Sequence, residues 1–124
     1  MTVNLTKGDF ASTIADNSIV LVDFWASWCG PCRAFAPVFD RSAQAHPEIV
    51  HAKVDTEAEQ ELAAGFGIRS IPTLMAFRDG VLVFNQPGAL PPDALADLIR
   101  QVEALDMDSV RAQLASRDAG ATRA

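Results

Sequence analysis

Apolar residues come along this chain in two rhythms. Thr2 to Leu5 alternates weakly, and Phe10, Ala11, Ile14 and Ala15 follow at helical spacing after Thr6, which can serve as a cap. A short strand and then a helix are expected. Ile19-Val20-Leu21-Val22-Asp23-Phe24-Trp25 is nearly continuous, β-branched and aromatic, the pattern of a central strand covered on both faces. Arg33 to Ala45 carries Phe35, Val38, Phe39 and Ala43 around Pro37, which predicts one kinked helix. Ile49 to Val54 predicts a second buried strand, and the acidic, alanine-rich Glu57 to Phe66 predicts a helix. Thr73 to Phe77 and Val81 to Phe84 read as strands joined through Arg78-Asp79-Gly80, and Asp-Gly is a strong antiparallel hairpin signal. Pro92 opens a helix where its missing N–H costs nothing, with Leu95, Leu98, Ile99, Val102 and Leu105 as its apolar stripe.

Strand and helix alternate first, then a hairpin and a helix close the chain. The class is therefore α/β, a central mixed β-sheet flanked by helices on both faces. Beyond Asp106 the stripe thins to Met107, Val110 and Leu114, and Ser116 to Ala124 is small and polar. One domain over residues 1–105 is expected, followed by a C-terminal extension over 106–124 that is partly helical or frayed.

Composition narrows the function. A chain of 124 residues with 49% apolar content can bury roughly two thirds of its unfolded surface and needs no staple to fold. Its two cysteines are thus free for chemistry. A net charge of -6 repels a phosphate backbone, so no nucleic-acid partner is expected. The longest apolar run, Ile19 to Ala26, is interrupted by Asp23 and falls far short of the ~20 residues that cross a bilayer, so no membrane partner is expected either. Met1 to Lys7 has no basic stretch leading into an apolar run, and a cytoplasmic location is expected. In a reducing compartment, cysteines two residues apart are redox-active or metal-binding before they are structural.

Trp28-Cys29-Gly30-Pro31-Cys32 falls between the buried strand and the helix. A thiolate at a helix N-terminus meets unpaired N–H groups and the positive end of the dipole, which lowers its pKa. Cys29 is the expected nucleophile. One helical turn brings Cys32 within reach of it, making Cys32 the resolving thiol. The rival reading is zinc, because Cys29, Cys32, His46 and His51 match the spacing of a two-Cys, two-His finger. Against it, Pro47 follows His46 directly and His51 falls in a strand pattern, whereas a finger needs both histidines on one helix. His46 and His51 read instead as surface or satisfied residues, and Trp25 as a support for the active-site loop.

Val22-Asp23-Phe24-Trp25-Ala26-Ser27-Trp28-Cys29-Gly30-Pro31-Cys32, followed by Gly67-Ile68-Arg69-Ser70-Ile71-Pro72-Thr73, resembles the thioredoxin family. The resemblance spans about Val3 to Leu105 and implies the thioredoxin fold. It also implies protein-disulfide reduction by dithiol exchange, serving cell redox homeostasis. It implies no bound cofactor and no metal; electrons would come from NADPH through a flavoprotein thioredoxin reductase. The partners implied are that reductase and disulfide-containing client proteins, with the chain acting as a monomer.

Residue by residue, the resemblance makes Asp23 a buried acid exchanging protons with the resolving thiol, and Lys53 its modulating neighbour. Pro72 would follow a cis bond beside the disulfide. Trp28, Gly30, Ile71, Pro72, Gly88 and Ala89 would form the apolar rim that receives clients. Gly30 and Pro31 put no cation between the cysteines, which favours a stable disulfide and the reducing direction. An oxidase or isomerase would carry a higher potential, and a non-catalytic module of the same fold would not need Asp23, Cys29, Cys32 and Pro72 together. Two departures stand out: Arg33 where lysine is common, and Pro87 where an aliphatic residue is common.

Overall fold

The computed structural model describes residues 1–123, with side chains as far as Arg117. Five strands form one mixed sheet in the order β1-β3-β2-β4-β5. β1 (Thr2–Asn4) and β2 (Ile19–Trp25) flank β3 (Val50–Asp55) in parallel, while β4 (Thr73–Arg78) pairs antiparallel with β2 and β5 (Val81–Pro87). β2 lies at the centre, which is why its sequence alternates so little: successive side chains enter two different cores. Ile19 and Leu21 join Phe35 and Phe39 of α2 (Gly30–Ala45) and Leu95, Leu98, Ile99 and Val102 of α4 (Pro92–Glu103). Val20, Val22 and Phe24 turn the other way, toward Phe10 and Ile14 of α1 (Phe10–Asp16) and Leu62 of α3 (Gln60–Gly65).

Local differences from the sequence pattern have local causes. α1 starts at Phe10 with Asp9 as the preceding residue, not at Thr6. Thr6 instead donates its backbone N–H to Asp9 Oδ1 at 2.6 Å, closing a turn before the helix. α3 is shorter than the stretch 57–66, because Asp55 Oδ1 accepts the N–H groups of Glu57 and Ala58 and holds them in a turn. α2 continues through Pro37 as a single helix. The hairpin turn follows the Asp-Gly signal: Asp79 and Gly80 take φ of 52° and 79°, the left-handed pair that a two-residue turn requires.

His51 is fully enclosed between β3 and α2. Its Nδ1 lies 3.1 Å from the Ile49 carbonyl and its Nε2 2.8 Å from Ser42 Oγ. A carbonyl only accepts, so Nδ1 carries the proton and Nε2 accepts from the serine. Burial pulls the histidine pKa below its ordinary value, outweighing the Ile49 bond. Ser42→Ala would leave Nε2 without its donor, and a loss of about 1–3 kcal/mol in unfolding free energy is expected. Urea melts check this, and an unchanged midpoint would show that the bond does not stabilise the fold.

α5 (Met107–Arg123) follows α4 after a short turn in which Asp106 accepts the N–H groups of Asp108 and Ser109. Met107 is buried, and Arg111 reaches Asp79 in the hairpin turn at 3.4 Å. The extension is thereby tied to the hairpin by an ion pair that apolar periodicity does not reveal.

Candidate active site

β2 ends at Trp25, and the chain turns through Ala26, whose carbonyl accepts the N–H of Cys29 at 3.2 Å. Cys29 is the N-cap of α2, and its sulfur accepts the Cys32 N–H at 3.2 Å. Pro31 occupies the first turn, where no N–H is needed. Cys29 and Cys32 are joined in a disulfide with Cα atoms 5.2 Å apart. Each sulfur residue is almost covered, while the neighbouring Trp28 is 63% exposed. An N-terminal helical turn, with its dipole and free N–H groups, can stabilise a thiolate released at Cys29.

Two other segments complete this end of the sheet. The Ile71–Pro72 bond is cis, and the Ile71 carbonyl oxygen lies 3.6 Å from Cys29 Sγ. Gly88 has φ of 104°, a conformation side chains rarely adopt, and its N–H donates to the Pro72 carbonyl at 2.7 Å. Ala89 follows on the surface. Trp28, Gly30, Ile71, Pro72, Gly88 and Ala89 therefore come from three loops that meet at one end of the sheet. Pro87 pairs with Thr73 at the last rung of β5, so the departure from the common pattern sits at the edge of this rim.

The central strand β2 carries an unusual polar group. Asp23 has no accessible surface, and among the described residues neither carboxyl oxygen has a hydrogen-bond partner. Burial pushes its pKa up to about 7, against a downward pull from Lys53. The same side of β2 carries Leu21, which packs on the α2 core, so alternation turns Asp23 toward the helix that begins at the cysteines. Lys53 is its partner in register on β3. The ammonium rests 4.7 Å from the centre of the Trp25 ring.

Some of the surroundings carry no sequence signal. Trp28 Nε1 donates to Glu57, so the indole is fixed by a residue from the turn after β3. A groove of about 350 Å³ runs beside it, lined by Trp28, Ala63, Ala64, Ile68, Arg69 and Ile71. Arg33 is folded back, donating to the Ser27 carbonyl at 3.0 Å. The zinc alternative finds no cluster: among the described residues no three His, Cys, Asp or Glu side chains are grouped to hold a metal. His51 is engaged with Ser42, and His46 lies 3.4 Å from Glu48.

Comparison with known proteins gives a consistent result. The thioredoxin family model matches residues 1–101. A Streptomyces coelicolor protein provisionally named thioredoxin 2 is 58% identical over 120 residues, covering 97% of this chain and 90% of the relative. Thioredoxin 1 of Synechococcus elongatus is 47% identical over 97 residues, covering 77% of this chain and 91% of its own length. Among solved structures, a mutant thioredoxin from Halobacterium salinarum superposes with a TM-score of 0.76 at 36% identity, covering 84% of this chain and 91% of that one. Oxidised mitochondrial thioredoxin 3 of Saccharomyces cerevisiae gives 0.74 at 31% identity, covering 81% and 94%.

Proposed function

This chain belongs to the thioredoxin family and is a protein-disulfide oxidoreductase, and from that premise we propose that it works as a reductant of client disulfides, with Cys29 attacking and Cys32 resolving. The Cys29 thiolate attacks one client sulfur, forming a mixed disulfide and expelling the client's other sulfur as a thiolate. Asp23 takes the proton of Cys32, which attacks Cys29 Sγ and releases the second client sulfur. The client gains two electrons and two protons, and the cysteine pair is left as the disulfide. Lys53 modulates the charge on Asp23. Trp28, Ile71, Pro72, Gly88 and Ala89 receive the client, with Gly30 and Pro31 tuning the thiols.

The observation that carries the reading is the Cys29–Cys32 disulfide at the N-terminus of α2, with an unpartnered carboxyl on the side of β2 that faces this helix. Re-reduction comes from NADPH through a flavoprotein thioredoxin reductase, and the role is cell redox homeostasis in the cytoplasm, performed by a monomer. No helix among the described residues is long and apolar enough to cross a membrane. Residues 1–105 form the catalytic domain and 106–124 an appended extension.

Single-turnover reduction of a disulfide-bonded client tests this. Asp23→Asn is expected to slow release of the reduced client about 10²-fold, the scale of a lost general base, while leaving alkylation of reduced Cys29 intact. Equal release rates would remove Asp23 from the mechanism, and no client reduction by the unmodified protein would overturn the reading.

A further inference from the structure

β2 and β3 run side by side, with Asp23 opposite Lys53 and Trp25 opposite Asp55. Partners in register share a face, and so do residues two apart. Asp23, Trp25, His51, Lys53 and Asp55 therefore project from the same side of the sheet. Of the charged or titratable groups on β3, His51 is bound to Ser42 and Ile49, and Asp55 accepts backbone N–H groups from Glu57 and Ala58. The neighbour of Asp23 on β4 is the apolar Leu74. The side of α2 that meets this face brings Phe35 and Phe39, and Cys32 is held in the disulfide. Lys53 remains as the charge able to act on Asp23.

An ammonium directly opposite a buried carboxyl would ordinarily close on it. Here it does not: among the described residues Asp23 has no hydrogen-bond partner, and the ammonium sits over the Trp25 indole instead. Tryptophan offers a cation the strongest π face of the natural side chains. We infer that Trp25 is a positioning residue whose indole face seats the Lys53 ammonium and holds it off the Asp23 carboxyl, so that this carboxyl stays free to exchange a proton with the resolving thiol. The inference rests on the proton-transfer role of Asp23 proposed above. Trp25 touches neither sulfur nor client in this role; it acts through the lysine.

A double-mutant cycle on the oxidised protein tests it, read as the midpoint of the Asp23 carboxyl ¹³C titration, with the resonance assigned by its loss in Asp23→Asn. Freed from its seat, Lys53 should fall onto Asp23, so Trp25→Leu should lower the midpoint by about one unit or more, as an opposite charge at close range does. In a Lys53→Met background the same Trp25→Leu change should leave the midpoint unmoved. An equal drop in both backgrounds would mean that the indole only keeps water from the carboxyl, and no drop in the first would mean that it does not seat the lysine. Either result overturns the inference. Trp25→Phe keeps a weaker π face and should give a smaller lysine-dependent drop; it carries the cycle if circular dichroism finds Trp25→Leu unfolded. This readout does not use turnover, so failure of the Asp23 mechanism and failure of the Trp25 seat register separately.

Discussion

Cys32→Ser should turn a turnover catalyst into a trap. Cys29 would keep its place at the N-cap of α2, with the helix amides still available to a thiolate. Its attack on a client disulfide would therefore proceed. The mixed disulfide could not then be resolved, because the atom one helical turn away would be an oxygen that cannot complete the exchange. Turnover should be lost, and a covalent complex should accumulate on a non-reducing gel and disperse with dithiothreitol. Cys29→Ser should lose turnover equally and give no complex. A trapped complex with Cys29→Ser, in place of Cys32→Ser, would reverse the assignment of the two sulfurs.

The second large effect concerns stability. A carboxyl whose pKa is about 7 in the fold and close to 3.9 in the unfolded chain binds its proton more tightly when folded. The contribution is fully present below the unfolded value and is lost as pH rises through the folded one. Above pH 8 the folded protein holds a buried charge without a partner. Asp23→Asn removes that charge at nearly the same size, so the oxidised variant should be more stable than the parent by up to about 4 kcal/mol at pH 9. The advantage should shrink through pH 7 and vanish near pH 4. Denaturant melts at these three pH values measure it, and a difference independent of pH would rule out a buried ionising carboxyl. With the expected pH dependence, the parent carries a less stable fold for the sake of a proton site, as functional groups often require.

How far the sequence foretold this molecule depended on how local each feature was. The central strand was legible because an uninterrupted apolar run fits burial on two faces, and the hairpin because Asp79-Gly80 suits left-handed backbone. The cysteine motif was legible because its position between strand and helix fixes what surrounds the sulfurs. The start of α1 at Phe10, not after Thr6, is not legible, since an Asp9 carboxylate turned back on its own chain looks in sequence like any other polar residue. Glu57 as the partner of Trp28, and Trp25 as the seat of Lys53, depend on cross-strand register and on turns far apart in the chain. The docking of α5 was hidden for the same reason: Arg111 and Asp79 meet only once the hairpin is folded.

Trp28 is the most exposed large apolar side chain beside the disulfide, and its one polar atom is already taken by Glu57. As part of the proposed client surface it would offer an arriving chain a bare aromatic face with no hydrogen bond left to match, and so would read almost no amino-acid identity. Selection would then pass to the client, whose disulfide would have to come loose from its own fold before an extended segment could lie across the proposed rim. On the proposed reading the molecule would therefore sort its targets by how readily they open locally, acting as a gauge of conformational slack more than as a reader of sequence.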